Sequence, residues 1–388
     1  MRIVLFTVYM PDRCGAFFHD VAAARFFQSK GHRVLFVFLR RTPGSPLSGV
    51  YRGVPYKYYM NAEADLAQSD VWTTPHYPIL GTVRKLNERF QKPLAITCHF
   101  AENVDGLEPY TQVGRWAEAV IYVSNTMKER VEAHTGMAAC IRKREVLYPV
   151  MLEPEVRLPE GTPRGEFITL INGNMLKGVD VFLRVADKMK THTFLGVRPY
   201  YRPIAVHDTD NVKWDPYNDD VRITLAKTRI LMVPSLTESW SRVAFEAMLN
   251  GIPVLYTKPY ESASFPGGTT HAMEEWIGDA GIACERTNLK EWIDAITMLD
   301  DPETYSVWSA RAKEKAESLG IFGNGAKYES ILTSFVKEFP GTFSASAKQE
   351  PTQQPQSVRP PQPAAGLRVP QGRFSGLIAG MPQSAQRR

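Results

Sequence analysis

Residues 237–255 read Thr237-Glu-Ser-Trp-Ser-Arg-Val-Ala-Phe-Glu246 and then Ala247-Met-Leu-Asn-Gly251-Ile-Pro-Val-Leu255. Two glutamates, Glu238 and Glu246, bracket seven residues, and the second lies among Val243, Ala244, Phe245, Ala247, Met248 and Leu249. On one helix they would stand ~80° apart around the axis and ~12 Å apart along it. They would then serve different points and not one metal. The better reading places Glu238 before a helix over 242–250, after the strand-end turn Pro234-Ser235-Leu236, with Ser239 or Ser241 as N-cap. The open amides of the first turn then face the carboxyl ends of the strands, where a doubly wound sheet holds its ligands. Free N–H groups and a helix dipole suit a phosphate. Glu246, inside an apolar helix, needs partners. Ribose hydroxyls of a ligand would satisfy it, and so would a core Arg, Lys or backbone amide.

The same rhythm runs along the chain. Ile3–Val8 is a short apolar run, Gly15 opens a helical pattern through Phe27, Gly31-His32 ends it, and Val34–Leu39 is the next strand, a βαβ unit. Ala67–Trp72, Leu94–Cys98 and Ala119–Val123 read as strands, with helices over 82–91 and 126–135. Phe167–Ile171, Thr193–Val197, Ile230–Val233 and Pro253–Tyr256 repeat the pattern, with helices over 179–189, 289–299, 302–319 and 326–339. Pro154, Pro159, Gly161 and Pro163 mark a linker. The expectation is an α/β chain of two doubly wound domains, 1–155 and 156–340, with the last helices free to pack back on the first.

Composition narrows the class. With 388 residues, 44% hydrophobic and 22% charged, the chain is ordinary globular material with length for two domains and a remainder. The net charge of +5 is uneven: +4 over residues 1–155, −4 over 156–340, and +5 in the Pro/Gln-rich stretch 341–388. That last stretch is too poor in apolar residues to offset its ordering entropy and reads as disordered. Cys14, Cys98, Cys140 and Cys284 are scattered, which fits a reducing compartment better than a disulfide framework. No run approaches the ~20 apolar residues of a spanning helix, and the start lacks the pattern of a secretory signal. The expectation is a cytoplasmic protein without a transmembrane segment.

The stretch from Pro234-Ser235 through Glu238, Glu246-Ala247-Met248 and Gly251-Ile-Pro-Val254 resembles the EX7E motif of retaining GT-B glycosyltransferases, family 4 in particular. The resemblance extends over nearly all of residues 1–335. Gly15 and Gly31-His32-Arg33-Val34 resemble that family's first loop and helix, Lys177-Gly178-Val179-Asp180 its Lys-Gly element, and Val123-Ser124-Asn125 its strand end before a helix. The resemblance implies the GT-B fold, two Rossmann-like domains facing a cleft, and transfer of a sugar from a nucleotide-sugar donor with retained anomeric configuration. By position, Glu246 would hold the ribose hydroxyls and Glu238 the donor sugar's hydroxyls. Lys177 would neutralise the diphosphate, and the amides of Trp240 and Ser241 would cradle the distal phosphate. His99, in Ile96-Thr-Cys-His99, would stand beside the transferred sugar, and Gly15 would let its loop approach the phosphates. His99 and Glu238 are thus the catalytic candidates. The resemblance implies no cofactor and no metal. Taken alone, Lys177-Gly178 also reads as a solvated helix start, His99 as a satisfied core histidine and Gly15 as a turn residue.

One departure stands out. Many relatives place an Arg a few residues before the Lys-Gly element, where this chain has Asn172 and Asn174; Arg242 instead occupies the first turn of the helix after Glu238. A cation there opposes the helix dipole unless an anion lies in front of it. Arg242 is therefore read either as a substitute diphosphate clamp or as a salt-bridged surface Arg. Asp208-Thr209-Asp210 matches a metal-binding DXD by letters only. For the acceptor, the loops 42–55, 73–81 and 101–111 carry Tyr51, Tyr56, Trp72, His76, Tyr77 and Tyr110, which suit stacking on sugars or bases. Arg40-Arg41, Arg84-Lys85 with Arg89 and Lys92, and Arg142-Lys143-Arg144 fit an anionic surface. A glycan, a lipid-linked carrier and DNA all qualify as acceptors, and the basic tail adds phosphate affinity. The alternatives are a GT-B epimerase or phosphorylase, or a non-catalytic nucleotide-sugar-binding or scaffold protein.

Overall fold

A computed structural model describes residues 1–75, 79–99, 119–133, 143–201, 204–260 and 270–338. The tail 341–388 lies outside the described residues. The first half is built on an eight-stranded sheet in the order β3-β4-β2-β1-β5-β6-β7-β8. Its strands are β1 (Arg2–Thr7), β2 (Arg33–Phe38), β3 (Ser48–Tyr51), β4 (Val54–Tyr58), β5 (Val71–Pro75), β6 (Leu94–Cys98), β7 (Ala119–Tyr122) and β8 (Lys143–Val146). All neighbours pair in parallel except β3 with β4. The central strands are continuous apolar runs because helices cover both faces. Helix α1 (Gly15–Ser29) joins β1 to β2, α2 (Leu80–Phe90) joins β5 to β6, and α3 (Asn125–Glu132) follows β7.

The second half carries six strands in the order β11-β10-β9-β12-β13-β14, all parallel. They are β9 (Phe167–Leu170), β10 (Phe194–Val197), β11 (Val212–Asp215), β12 (Thr228–Val233), β13 (Val254–Thr257) and β14 (Ile282–Cys284). Its helices are α4 (Val179–Lys188), α5 (Arg242–Leu249), α6 (His271–Ile277), α7 (Leu289–Met298) and α8 (Pro302–Ser318). α8 packs on α5, and α9 (Asn324–Glu338) returns to α1 of the first half. There Tyr328, Leu332 and Phe335 enter the core of Phe17, Val21, Ala24 and Phe27. Among the described residues, no helix is long and apolar enough to cross a membrane.

Three expectations need correction. The strand expected at 67–72 starts at Val71, because residues 63–68 form a helix and Ser69 turns the chain, its hydroxyl accepting from Trp72 Nε1 at 2.7 Å. Trp72 is therefore fully buried core and not an acceptor-loop aromatic. The expected loop 42–55 instead contains the β3–β4 hairpin, turned by Arg52 and Gly53, both with positive φ as the favoured two-residue turn requires. The exposed Ser48, Gly49 and Val50 hid that hairpin from the sequence.

Candidate active site

The carboxyl ends of both sheets meet at one cavity of about 850 Å³. Thr7 at the end of β1 with Val8 after it, Pro75 of β5, His99 after β6 and Val123 after β7 line it from the first half. Leu170 of β9 and Met232 and Val233 of β12 line it from the second. This is the position at which open α/β sheets place their ligands, and the volume suits a ligand of drug size. Of the eight candidate residues, Gly15, His99, Lys177, Glu238, Trp240, Ser241 and Arg242 line this cavity. Glu246 does not; it is 3% exposed.

Lys177 and Glu238 form the centre of the second-half wall. Lys177 Nζ donates to Glu238 Oε1 at 2.7 Å, and Ser235 Oγ donates to the same oxygen at 2.8 Å. Lys177 ends a short turn set by Asn174, whose Oδ1 accepts from the Lys177 amide. Gly178 follows with φ +82°, and an added Cβ would lie 2.0 Å from the Pro234 carbonyl oxygen. The strand-end turn and the Lys-Gly element thus touch backbone to backbone, which only glycine permits. Asn172 has positive φ and lines the cavity with its buried Oδ1 unpartnered.

Arg242 and Glu246 form a second pair, one turn apart on α5. Arg242 Nε donates to Glu246 Oε1 at 2.9 Å, while Arg242 Nη1 is buried without a hydrogen-bond partner. Burial raises the Glu246 carboxyl, and the Arg242 charge and hydrogen bond pull it back down. The core-Arg partner considered for Glu246 is therefore present, and Arg242 stands between Glu246 and the cavity. A ribose could reach Glu246 only if Arg242 moved aside.

The N-terminus of α5 differs from the expected cap. Ser241 occupies the N-cap position with φ 68°, and no side chain caps the helix. Its hydroxyl is buried and unpartnered. Ser239 instead reaches across to the first half, donating to the His99 carbonyl oxygen at 2.5 Å. The Trp240 ring is core: it stacks on Trp276 at 4.9 Å, and its carbonyl accepts from Trp276 Nε1. Among the described residues neither the Trp240 nor the Ser241 amide donates to a protein acceptor. Two helix N-termini, of α5 and α1, thus open on the same cavity. Gly15 begins α1 with no unusual φ, and nothing lies within 4 Å of the space a Cβ would fill. It is not required by a turn; what it leaves open is the cavity wall.

The first half contributes acidic and imidazole groups that the motif reading missed. Asp12 and Asp20 line the cavity. Burial pushes Asp12 up to about 6, and burial with the Asp12 charge pushes Asp20 well above the carboxylate range. Burial, with the Asp12 charge, raises the Cys14 thiol between them to about 12. His19, Asp20 and His99 bring potential ligand atoms within 4.8 Å of one another. However, His19 Nδ1 accepts from the Val150 amide at 2.8 Å, which leaves the proton of the neutral ring on Nε2. Burial, with the Arg242 charge, lowers the His19 pKa to about 3 and keeps that ring neutral. His19 therefore presents a donor, not a metal-binding lone pair. Asp208 is a turn residue whose carboxylate accepts from the Trp214 amide.

The expected acceptor features divide. Arg40 lines the cavity. Arg89 pairs with Glu63, Lys143 with Glu338 and Arg144 with Glu132, and Lys92 donates to the Ala67 carbonyl. These cations are mostly spent on the fold. Tyr51 binds Asp219 and Tyr56 lies in β4, both away from the cavity. His76, Tyr77, Tyr110 and Arg142 lie outside the described residues.

Residues 166–301, the second half, match the family described as glycosyl transferases group 1. The D-inositol 3-phosphate glycosyltransferase of Paenarthrobacter aurescens (strain TC1) is 24% identical over 308 residues, 71% of this chain and 70% of that protein. The chain spans 31% and 24% of the length of two further curated glycosyltransferases that it matches. Sucrose-phosphate synthase from Thermosynechococcus elongatus has the same fold, with a TM-score of 0.70 at 13% identity, covering 87% of this chain and 99% of that one. Anabaena Alr3699/HepE, solved with UDP and glucose, gives 0.67 at 14% identity, covering 85% and 99%. Residues 166–301 thus carry a glycosyl transferases group 1 domain, and the two doubly wound halves facing one cavity have the GT-B fold.

Proposed function

We propose that the protein moves a sugar from a nucleotide-sugar donor to an acceptor hydroxyl with retention of anomeric configuration. The observation that carries this reading is the Lys177–Glu238 pair, set in one cavity with Arg242 and His99. As the bond from the anomeric carbon to the phosphate oxygen breaks, negative charge grows on the departing diphosphate. The Lys177 ammonium, Arg242 Nη1 and the open amides at the start of α5 supply preorganised positive charge there. That assignment gives Arg242 the part of the clamp that Asn172 and Asn174 cannot play. It calls on no metal and no cofactor. Glu238, freed from part of its bond to Lys177 when a diphosphate arrives, accepts from hydroxyls of the donor sugar. His99 approaches the same sugar from the first half. Glu246 holds the ribose once Arg242 has turned to the phosphates.

UDP is the first nucleotide to try, because a neighbour of the same fold was solved with it. A phosphorylated polyol is a reasonable first acceptor, because a relative is named for acting on D-inositol 3-phosphate and Arg40 offers a cation at the first-half end of the cavity. A glycan, a lipid-linked carrier or DNA completes the acceptor panel. The test incubates the chain with UDP-, GDP- and ADP-sugars and the acceptor panel, and follows nucleotide release and product configuration by NMR. Transfer with the donor's anomeric configuration is expected. Inversion removes the retaining assignment, turnover of the donor sugar without an acceptor points to an epimerase, and binding without turnover points to a scaffold.

A further inference from the structure

His19 and Asp20 interrupt the apolar face of α1 between Phe17-Phe18 and Val21-Ala22-Ala23-Ala24, and both are buried, 0% and 5% exposed. Asp20 lines the cavity. Among the described residues its carboxyl makes no hydrogen bond, and the near polar atom, His19 Nε2, is 3.9 Å from Oδ1, beyond hydrogen-bond range. The Val150 amide fixes the His19 proton on Nε2, and that N–H has no acceptor among the described residues. A buried N–H without an acceptor, beside a carboxyl that opens on the cavity and has no hydrogen-bond partner among the described residues, is costly unless a ligand in the cavity completes it.

The chemistry of the pair selects the ligand. A metal ion is disfavoured because the His19 lone pair is already engaged by Val150. A carboxylate or phosphate would face Asp12, which is ionised above about pH 6 and would repel it. An apolar group would leave both polar groups unsatisfied. A hydroxyl fits, because it donates to one Asp20 oxygen while the other is drawn toward the His19 N–H. His99, whose potential ligand atom lies within the same 4.8 Å cluster, and Glu238 across the cavity are the residues placed beside the transferred sugar.

We propose that Asp20 binds a hydroxyl of the transferred sugar, with His19 as its positioning residue, and so selects neutral sugars over sugars bearing a carboxylate at that point. This rests on the glycosyltransferase reading above. The test measures affinity for UDP, GDP and ADP and for their hexose conjugates, and for UDP-glucuronate, with wild type, Asp20→Ala, Asp20→Asn and His19→Gln. The expected result is nucleotide affinity within about twofold of wild type in every variant. The hexose conjugate should weaken at least about tenfold in Asp20→Ala, and by less in Asp20→Asn, which keeps an oxygen acceptor. His19→Gln should shift affinity for the conjugate and not for the nucleotide. Equal weakening of nucleotide and conjugate, or no change in either, overturns the proposal while leaving the glycosyltransferase reading intact. Should Asp20→Ala fail to fold, the wild-type preference decides: about tenfold or more for the neutral conjugate over the glucuronate supports it, and about twofold or less overturns it. No binding of any nucleotide to folded wild type removes the glycosyltransferase reading and this inference with it.

Discussion

Lys177 and Arg242 are two cations that line the cavity, and their surroundings say how each should respond to substitution. On the proposed reading, Lys177→Ala removes a charge aimed at the leaving group and is expected to lower kcat about 100-fold or more, with unfolding temperature little changed. Arg242→Ala should act differently, because it strips Glu246 of its buried partner. Both donor affinity and stability should fall, the latter by about 3 kcal/mol for a broken buried pair. Unchanged donor affinity in Arg242→Ala, with loss in Lys177→Ala, would leave Arg242 a purely structural cation. Gly178→Ala is expected to displace the strand-end turn and with it Lys177, since the added carbon meets a backbone oxygen. Nucleotide affinity and unfolding temperature should drop together. Asp12 gives a pH signature. Its folded pKa lies above the unfolded value, so the unfolded chain releases its proton first and stability falls as pH rises from about 4 to about 6. Denaturant unfolding across that range should show this slope in wild type and a shallower one in Asp12→Asn, the buried Asp20 remaining as a second contributor.

At the scale of elements, α3 shows how one half organises the other. Ser124 Oγ caps it from within, accepting from the Met127 amide at 3.0 Å. Glu275 on α6 completes the cap from the second half, accepting from the amides of Asn125 and Thr126, from their side chains, and from the Tyr148 hydroxyl. Burial alone would raise this carboxyl, but those bonds hold it below its ordinary value. Glu275→Ala should cost about 2 kcal/mol at neutral pH. Because the folded pKa is the lower one, the contribution is full above the unfolded value and fades as pH falls through the folded one, so wild type and variant should converge in acid. Nothing in the sequence marks Glu275 for this role, since its partners lie about 150 positions away. The central parallel strands, by contrast, were legible because burial on both faces writes them as apolar runs, whereas the short strands β8, β11 and β14 at the sheet edges were not. The β3–β4 hairpin was not, because exposed strands carry no such run. The Glu238–Glu246 spacing disclosed the second-half wall of the site, and Lys177-Gly178 its neighbour. The signal that singled out Glu246, a carboxylate inside an apolar helix, was equally present at Asp20 and went unread for want of a motif around it.

Across the whole molecule, the two halves also meet at a cluster of ions. Arg13 pairs with Asp219, the Tyr51 hydroxyl and an Arg52 nitrogen reach the same residue, and Arg25 pairs with Glu155. A crevice of about 310 Å³ lies among them. These groups are partly solvated, so each contact contributes about 1 kcal/mol or less and is weakened by salt. Asp219→Ala, or wild type in high salt, is expected to let the halves separate, and small-angle scattering of the ligand-free chain should record a larger radius of gyration. An unchanged radius in both would mean that the apolar contacts alone set the arrangement.

The return of α9 to α1 bears on how the polypeptide is made. Tyr328, Leu332 and Phe335 complete a core whose other members, from Ile3 to Val150, were synthesised roughly 180 to 330 residues earlier. While the ribosome is still reading the second half, the first sheet waits with one apolar face uncovered. That face is a target for chaperones and for mispairing between nascent chains. The first half to be synthesised is therefore the last to finish folding, and a premature stop shortly before residue 324 leaves both halves translated in large part and the earlier one unsealed.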